Sequence, residues 1–335
     1  MSIDTETPLV GLEAVRAAAA TLDGIATRTP LVPFGPPDAR RFLKAESLQS
    51  IGAFKIRGAY NAVASLSPDE LARGVITYSS GNHAQGVARA ARLLGAPAIV
   101  VMPSDAPAVK RERVAADGAE IVIVGTASDE RQAAAEKIAA ERGLSIIPPY
   151  DDDRVIAGQG TVGLEIAEAL PDVGAVLVPI GGGGLASGVA VAIRALVPDA
   201  RVIGVEPELG ADARDSLAAG RIVEWSAADV SRTIADGTRT RAIGRRPFAH
   251  LSKLLDSVVT VSEAEIAAAV RLAAEESRLV AEPSGALTVA ALAFRAAEIG
   301  LGRLDGRPVV AVVSGGNVDP ERYLEFLRAP VPPRG

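Results

Sequence analysis

The stretch 51–59, IGAFKIRGA, places Lys55 after a Gly-Ala-Phe step and two residues before Arg57. The chain has five lysines against thirty arginines, so a lysine in so apolar and glycine-spaced a setting asks for a reason. One reading is a loop lysine that snorkels to water. The other is nucleophilic chemistry, which needs a neutral amine and surroundings that lower its pKa.

A second feature is the run Gly181, Gly182, Gly183 and Gly184, set between AVLVPI (175–180) and LASGVAVAIRALVP (185–198). A loop without Cβ atoms can bring consecutive backbone N–H groups onto an anion, and a following helix N-terminus adds partial positive charge. That combination asks for a phosphate. No Walker lysine follows, which excludes a P-loop. Gly181, Gly183 and Ala186 also meet the loose G-x-G-x-x-A spacing, and Glu206 closes the next apolar run where a ribose-binding acid would stand, so a nicotinamide oxidoreductase is an alternative. Four glycines exceed what a dinucleotide turn requires; a compact monophosphate wrapped on several sides uses them all. SSGNH (79–83) and SGGN (314–317) are polar turns at the ends of other apolar runs. SSGNH reads either as an ordinary capped turn or as a seat for a substrate carboxylate.

The elements that must carry these turns are legible as alternation. GVITYSS (74–80), PAIVVMP (97–103) and EIVIVG (120–125) read as strands, each followed by an amphipathic helix: 83–95, 108–118 and 128–143. A second series has strands at 175–180, 201–207 and 308–316, a helix at 185–198, and helices capped by Ser262 and Ser284. Two such series predict an α/β protein of two lobes with open parallel sheets and a cleft between them. PPYDDDRVIAGQG (148–160) is the expected crossing point, and the tail APVPPRG is expected to fray.

Composition limits the partners. With 335 residues, 48% hydrophobic and 23% charged, the chain can build a sizeable core. A net charge of -6 offers no footprint for nucleic acid or an anionic membrane, so a small metabolite is the expected partner. The absence of cysteine excludes disulfides, thiolate catalysis and cysteine-ligated metals. Two histidines, His83 and His250, cannot form a His-rich metal cluster. The acidic start MSIDTETPLV lacks a signal-peptide layout, and no apolar run approaches the ~18 residues of a membrane span, so a soluble cytoplasmic protein is expected.

In chain order, AFKIRGA, SSGNHAQG, GGGGLASG, EPSGA and SGGN resemble the serine/threonine dehydratase and serine racemase family of fold-type-II pyridoxal phosphate enzymes. The resemblance runs from about Thr29 to Asn317. It implies a tryptophan-synthase-beta-like fold with the active site in the interdomain cleft. Residues 1–74 and 148–330 would form a large cofactor-binding domain, 75–147 a small one and 331–335 a flexible tail. It implies that Lys55 binds the cofactor covalently and, once released by substrate, serves as base at Cα. Gly181 to Gly184 would grip the cofactor phosphate, Asn82 its ring hydroxyl and Ser314 its pyridine nitrogen, with Phe54 and Glu282 beside it.

A neutral hydroxyl at the ring nitrogen favours elimination over long-lived carbanion chemistry. Ser80 matches the acid/base that racemases place on the face opposite the lysine. Ser80, Gly81, Asn82 and His83 would surround the substrate carboxylate, and Arg131 matches a substrate-side arginine. Glu206, Asp212 and the carbonyl of Gly210 fall at the family's divalent-cation position, where oxygen ligands suit magnesium, calcium or manganese. Each of these also has a plain reading: solvated loop acids, a helix-surface arginine, a satisfied turn histidine, and Glu282 as a cap. Ala53 departs from the serine that many relatives carry before Phe54, which bears on substrate choice. With so short a segment after Asn317, the regulatory domain of biosynthetic threonine deaminases is not expected.

The expected function is dehydration and deamination of L-threonine, L-serine or a related β-hydroxy amino acid to a 2-oxo acid and ammonia. Serine racemisation is the near alternative, alone or alongside; a nicotinamide oxidoreductase and a non-catalytic binder on the same scaffold are remoter ones. A homodimer is implied by the resemblance alone.

Overall fold

Strands β1 (Leu31–Pro33), β2 (Arg41–Ala45), β3 (Val75–Tyr78), β4 (Ala98–Pro103), β5 (Glu120–Val124), β6 (Ser145–Ile146), β7 (Ala175–Pro179), β8 (Arg201–Pro207), β9 (Ser257–Val261) and β10 (Val309–Val313) make two sheets. The structure is a computed structural model and describes residues 8–79, 81–104, 106, 108–125 and 128–334. The larger sheet has the order β1-β2-β10-β7-β8-β9, the smaller β5-β4-β3-β6. Every pairing is parallel except β1 with β2, where Leu31 lies opposite Lys44. The parallel α/β architecture expected from alternation is the one observed. Strands β1, β2, β6 and β9 were not legible, because two of them are only two or three residues long and β2 carries a charged lysine in its interior.

Parallel strands covered on both faces lose their polar alternation. β7 (AVLVP) and β10 (VVAVV) are accordingly buried at every position. One face of the larger sheet packs against helices Glu263–Ser277 and Pro283–Phe294, the other against Gly184–Leu196 and Arg245–Leu254. Each fully buried Val, Leu or Ile contributes about 1.5–3 kcal/mol, so these two layers fix the frame.

Helix Asp153–Ala169 is the common partner of helix Lys55–Ala64 and helix Gly184–Leu196, and glycine makes both contacts close. A Cβ on Gly158 would stand 2.6 Å from the Arg57 carbonyl, and one on Gly188 would stand 2.3 Å from the Ile156 carbonyl. Gly86 likewise lets helix Asn82–Leu94 lie against the Lys55 helix, its notional Cβ 3.2 Å from the Lys55 carbonyl. The helices that begin at Lys55, Asn82 and Gly184 are thereby locked to one another.

Ser262 caps its helix through a capping box with Glu265. Ser284 does not cap: Pro283 occupies the first helical turn, Glu282 stands at the N-cap, and the Ser284 hydroxyl instead accepts the Gly237 N–H at 2.8 Å. That helix ends at Phe294.

Candidate active site

Strand ends deliver the three polar turns to one place. β3 leads into Ser79, β7 into Gly181 and β10 into Ser314, and all three line a cleft of about 540 Å³ together with Phe54, Lys55 and Glu282. This is the crevice at the carboxyl ends of parallel strands that α/β sheets offer to ligands.

Lys55 opens its helix at the floor of the cleft. Its Nζ donates to the Pro149 carbonyl at 2.7 Å and lies 5.1 Å from the centre of the Phe54 ring. With no carboxylate against it, burial lowers its pKa from 10.5 to about 8. The preceding residues are zipped to the turn after β10: Phe54 N–H donates to the Ser314 carbonyl, Ala53 bridges Gly315, and Gly316 N–H donates to the Gly52 carbonyl. Ala53 is wholly buried in that bridge, its Cβ 3.2 Å from where one on Gly315 would be.

The glycine run makes a cradle that side chains would fill. A Cβ on Gly182 would stand 2.1 Å from the Tyr150 ring, one on Gly184 would stand 3.1 Å from Tyr150, and one on Gly181 would stand 3.1 Å from the Thr238 Cα. Gly183 has φ +91°, which only glycine adopts freely. Helix Gly184–Leu196 starts there, so its first N–H groups, lacking intrahelical acceptors, face the loop. A monophosphate group fits such a site, and the nearby desolvated amine suits an aldehyde; together these are what pyridoxal phosphate needs.

Asn82 opens helix Asn82–Leu94, gives Nδ2–H to Glu282 Oε1 at 2.6 Å and accepts at Oδ1 from Asn317 at 2.8 Å. Burial, then Asp236, pushes the Glu282 carboxyl up to about 8. His83 is 2% exposed, and its Nε2–H donates to the Ile147 carbonyl at 3.0 Å. Burial, then the Lys55 charge, holds the ring neutral, its pKa pulled down to about 3. Gly81 and Arg131 line the cleft; Ser80 lies outside the described residues.

The three residues expected at a cation position lie apart from this lining. Glu206 accepts the N–H groups of Ala213 and Arg214 at 3.0 and 2.8 Å, while both oxygens of buried Asp212 have no partner. Burial raises both carboxyls, Asp212 to about 7. Gly210 is buried in the turn between them. Among the described residues no group of three acidic or histidine side chains surrounds a point, so a cation here would draw on carbonyls and water as well.

Sequence reasoning missed Tyr150, the Pro149 carbonyl and the segment 236–245 that closes over the glycine loop. It also missed Lys110, which reaches from helix Ala108–Ala116 across the cleft to Asp236 at 2.9 Å. Their one signal was an aromatic residue at the crossing segment of a chain that is only 3% aromatic.

A family model described as pyridoxal-phosphate dependent enzyme matches residues 22–315. The chain is 43% identical over 289 residues to L-threo-3-hydroxyaspartate ammonia-lyase of Saccharomyces cerevisiae, covering 86% of each. It is 43% identical to L-threonine ammonia-lyase of Thermotoga maritima, covering 93% of this chain and 76% of that one. The solved structure of maize serine racemase superposes with a TM-score of 0.89 at 35% identity, covering 95% of this chain and 97% of that one.

Proposed function

Because the chain belongs to the pyridoxal-phosphate dependent enzyme family, we propose that it dehydrates and deaminates a β-hydroxy amino acid, L-threonine, L-serine or L-threo-3-hydroxyaspartate, to a 2-oxo acid and ammonia. The observation that carries this reading is the Lys55 amine, desolvated without a counter-charge, on the floor of a cleft whose other end is the glycine cradle.

When bound, pyridoxal phosphate supplies an electron-withdrawing ring that weakens the Cα–H bond of an attached amino acid and lets a β-substituent leave. The backbone N–H groups around Gly181 to Gly184 would hold its phosphate. Ser314 would meet the ring nitrogen as a neutral hydroxyl, and Asn82 the ring oxygen, with Phe54 and Glu282 beside them. Lys55 would hold the cofactor covalently, and its Nζ would take the Cα proton, a role open to a neutral amine and closed to an ammonium. Ser80, Gly81, Asn82 and His83 would bind the substrate carboxylate, with Arg131 on the substrate side. The net change is loss of the α-hydrogen and β-hydroxyl as water, followed by uptake of water and release of ammonia.

The test is the visible spectrum of the purified protein with pyridoxal phosphate, before and after each of the three amino acids, with 2-oxo acid and ammonia assayed in the same cuvette. Turnover of at least one substrate, lost in Lys55→Ala together with the lysine-bound absorbance, is expected. A protein that binds the cofactor and releases no 2-oxo acid from any of them would overturn the reading. Likeness to serine racemase favours a second activity, with Ser80 returning a proton to the opposite face; chiral analysis of unreacted serine tests it, and a wholly L residue refutes it.

Glu206, Asp212 and the Gly210 carbonyl are proposed to hold magnesium, calcium or manganese, supported by the partnerless buried Asp212 carboxylate. Added cation should raise the melting temperature and chelator lower it, with Asp212→Asn indifferent to both; an unchanged response in that variant would refute the site. No helix among the described residues is long and apolar enough to cross a membrane. A cytoplasmic homodimer completes the proposal, and sizing of the native protein checks the dimer.

A further inference from the structure

Asn317 ends the SGGN turn, and its side-chain amide is fixed from two sides. Nδ2 donates to the Ile51 carbonyl at 2.8 Å, while Oδ1 accepts from Arg113 Nη1 at 2.6 Å. A carbonyl only accepts and a guanidinium only donates, so a flipped amide would satisfy neither. The other Nδ2 hydrogen goes to Asn82 Oδ1 at 2.8 Å. With its oxygen so engaged, Asn82 turns its own Nδ2 the other way, where one hydrogen meets Glu282 Oε1 at 2.6 Å.

The three side-chain bonds Arg113–Asn317, Asn317–Asn82 and Asn82–Glu282 each pass between lobes. Arg113 and Asn82 lie on helices of the smaller sheet, Asn317 and Glu282 beside the larger one. Gly52 makes the approach possible: its φ is +73°, and a Cβ there would lie 2.4 Å from Asn317 Oδ1. Asn82 lines the cleft, and among the described residues one of its two Nδ2 hydrogens has no acceptor.

We propose that Asn317 and Arg113 are positioning residues that lock the Asn82 amide with its nitrogen toward the cleft, so that it serves an anionic ring oxygen of the cofactor strictly as a donor. The inference rests on the assignment of Asn82 to that oxygen. A donor held there stabilises the deprotonated oxygen and so lowers the pH at which the bound cofactor takes up a proton. A reversed amide would present Oδ1 instead and favour the protonated form.

The experiment is a pH titration of the visible absorbance, with cofactor release rates, for holoenzyme reconstituted with pyridoxal phosphate. Asn317→Asp, which can only accept, reverses the Asn82 amide; the absorbance midpoint should rise by roughly one pH unit and release should quicken roughly tenfold. Arg113→Met should shift the midpoint in the same direction by less, and Arg113→Lys, again a pure donor, should restore it. Arg113 is exposed, so these two variants report even if the substitution at Asn317 fails to fold. Arg142→Met removes an exposed guanidinium of the smaller lobe, paired with Glu120 away from the cleft and the amides, and should leave the midpoint in place. An unmoved midpoint in Arg113→Met and Asn317→Asp, or an equal shift in Arg142→Met, would overturn the proposal. A wild-type protein with no visible band would instead overturn the cofactor assignment on which it rests.

Discussion

At the scale of single residues, Lys55 differs from a surface lysine in what is missing around it. Its Nζ donates to the Pro149 carbonyl, which accepts from a neutral amine as well as from an ammonium, and among the described residues no carboxylate repays the cost of desolvating the charge. The charged form is therefore disfavoured and the pKa falls. At pH 8 about half of Lys55 in the cofactor-free protein should be free amine, against under about 1% for a lysine at its ordinary value near 10.4. Trace acylation of the cofactor-free protein across pH, read by peptide mass spectrometry, should give Lys55 a reactivity midpoint near 8. A midpoint near that of an exposed lysine would mean that the amine is solvated. Lys55, the glycine run and the SSGNH and SGGN turns were legible because their chemistry is written in consecutive residues. The Pro149 carbonyl, 94 residues from Lys55, and the Arg113 donor, 204 residues from Asn317, were not, since a partner's identity depends on which strand ends the fold brings together.

Between elements, glycine sets the distances. The sequence reads AGQG (157–160) as the end of the crossing segment 148–160, yet these residues lie within helix Asp153–Ala169, on the face where the Lys55 helix and the helix after the glycine loop both rest. Periodicity alone cannot show this, because a glycine face carries no apolar signal. Gly182 displays the same logic at the cradle, where the Tyr150 ring fills the space a side chain would take. In Gly182→Ala the methyl and the ring cannot share that space, so either the loop moves off the phosphate position or Tyr150 swings away. Cofactor affinity should fall at least roughly tenfold, with a smaller loss in stability, since overpacking costs about 1–3 kcal/mol. Equilibrium dialysis of pyridoxal phosphate measures the first and denaturant titration the second. Tyr150→Ala in the Gly182→Ala background should recover part of the affinity; a further loss instead would show that the ring is not what the methyl meets.

Across the whole molecule, the site depends on a buried ionic cluster that lies outside the cleft lining. Arg57 is 1% exposed and donates to Glu46 at 2.8 Å, to Glu165 at 2.6 Å, to Thr161 at 3.0 Å and to the Thr27 carbonyl at 3.1 Å. Lys44 donates to Glu165 and to the Thr29 carbonyl, and the Thr29 hydroxyl donates to Glu46. Two cations and two carboxylates balance, and they join the segment before β1, strand β2, the Lys55 helix and helix Asp153–Ala169. Such a cluster adds little net energy over an apolar core of the same shape, but removing one member leaves charges buried without partners. Arg57→Met should therefore cost about 3–5 kcal/mol in denaturant unfolding. Glu46, which has no exposure and whose carboxyl is held below its usual range by Arg57 against the opposing effect of burial, is the group most stranded by that change. Glu46→Gln in the Arg57→Met background should return part of the loss, whereas Glu46→Gln alone should destabilise. If the two losses simply add, the charges are not coupled, and the hold of this cluster on the helix that carries Lys55 is packing alone.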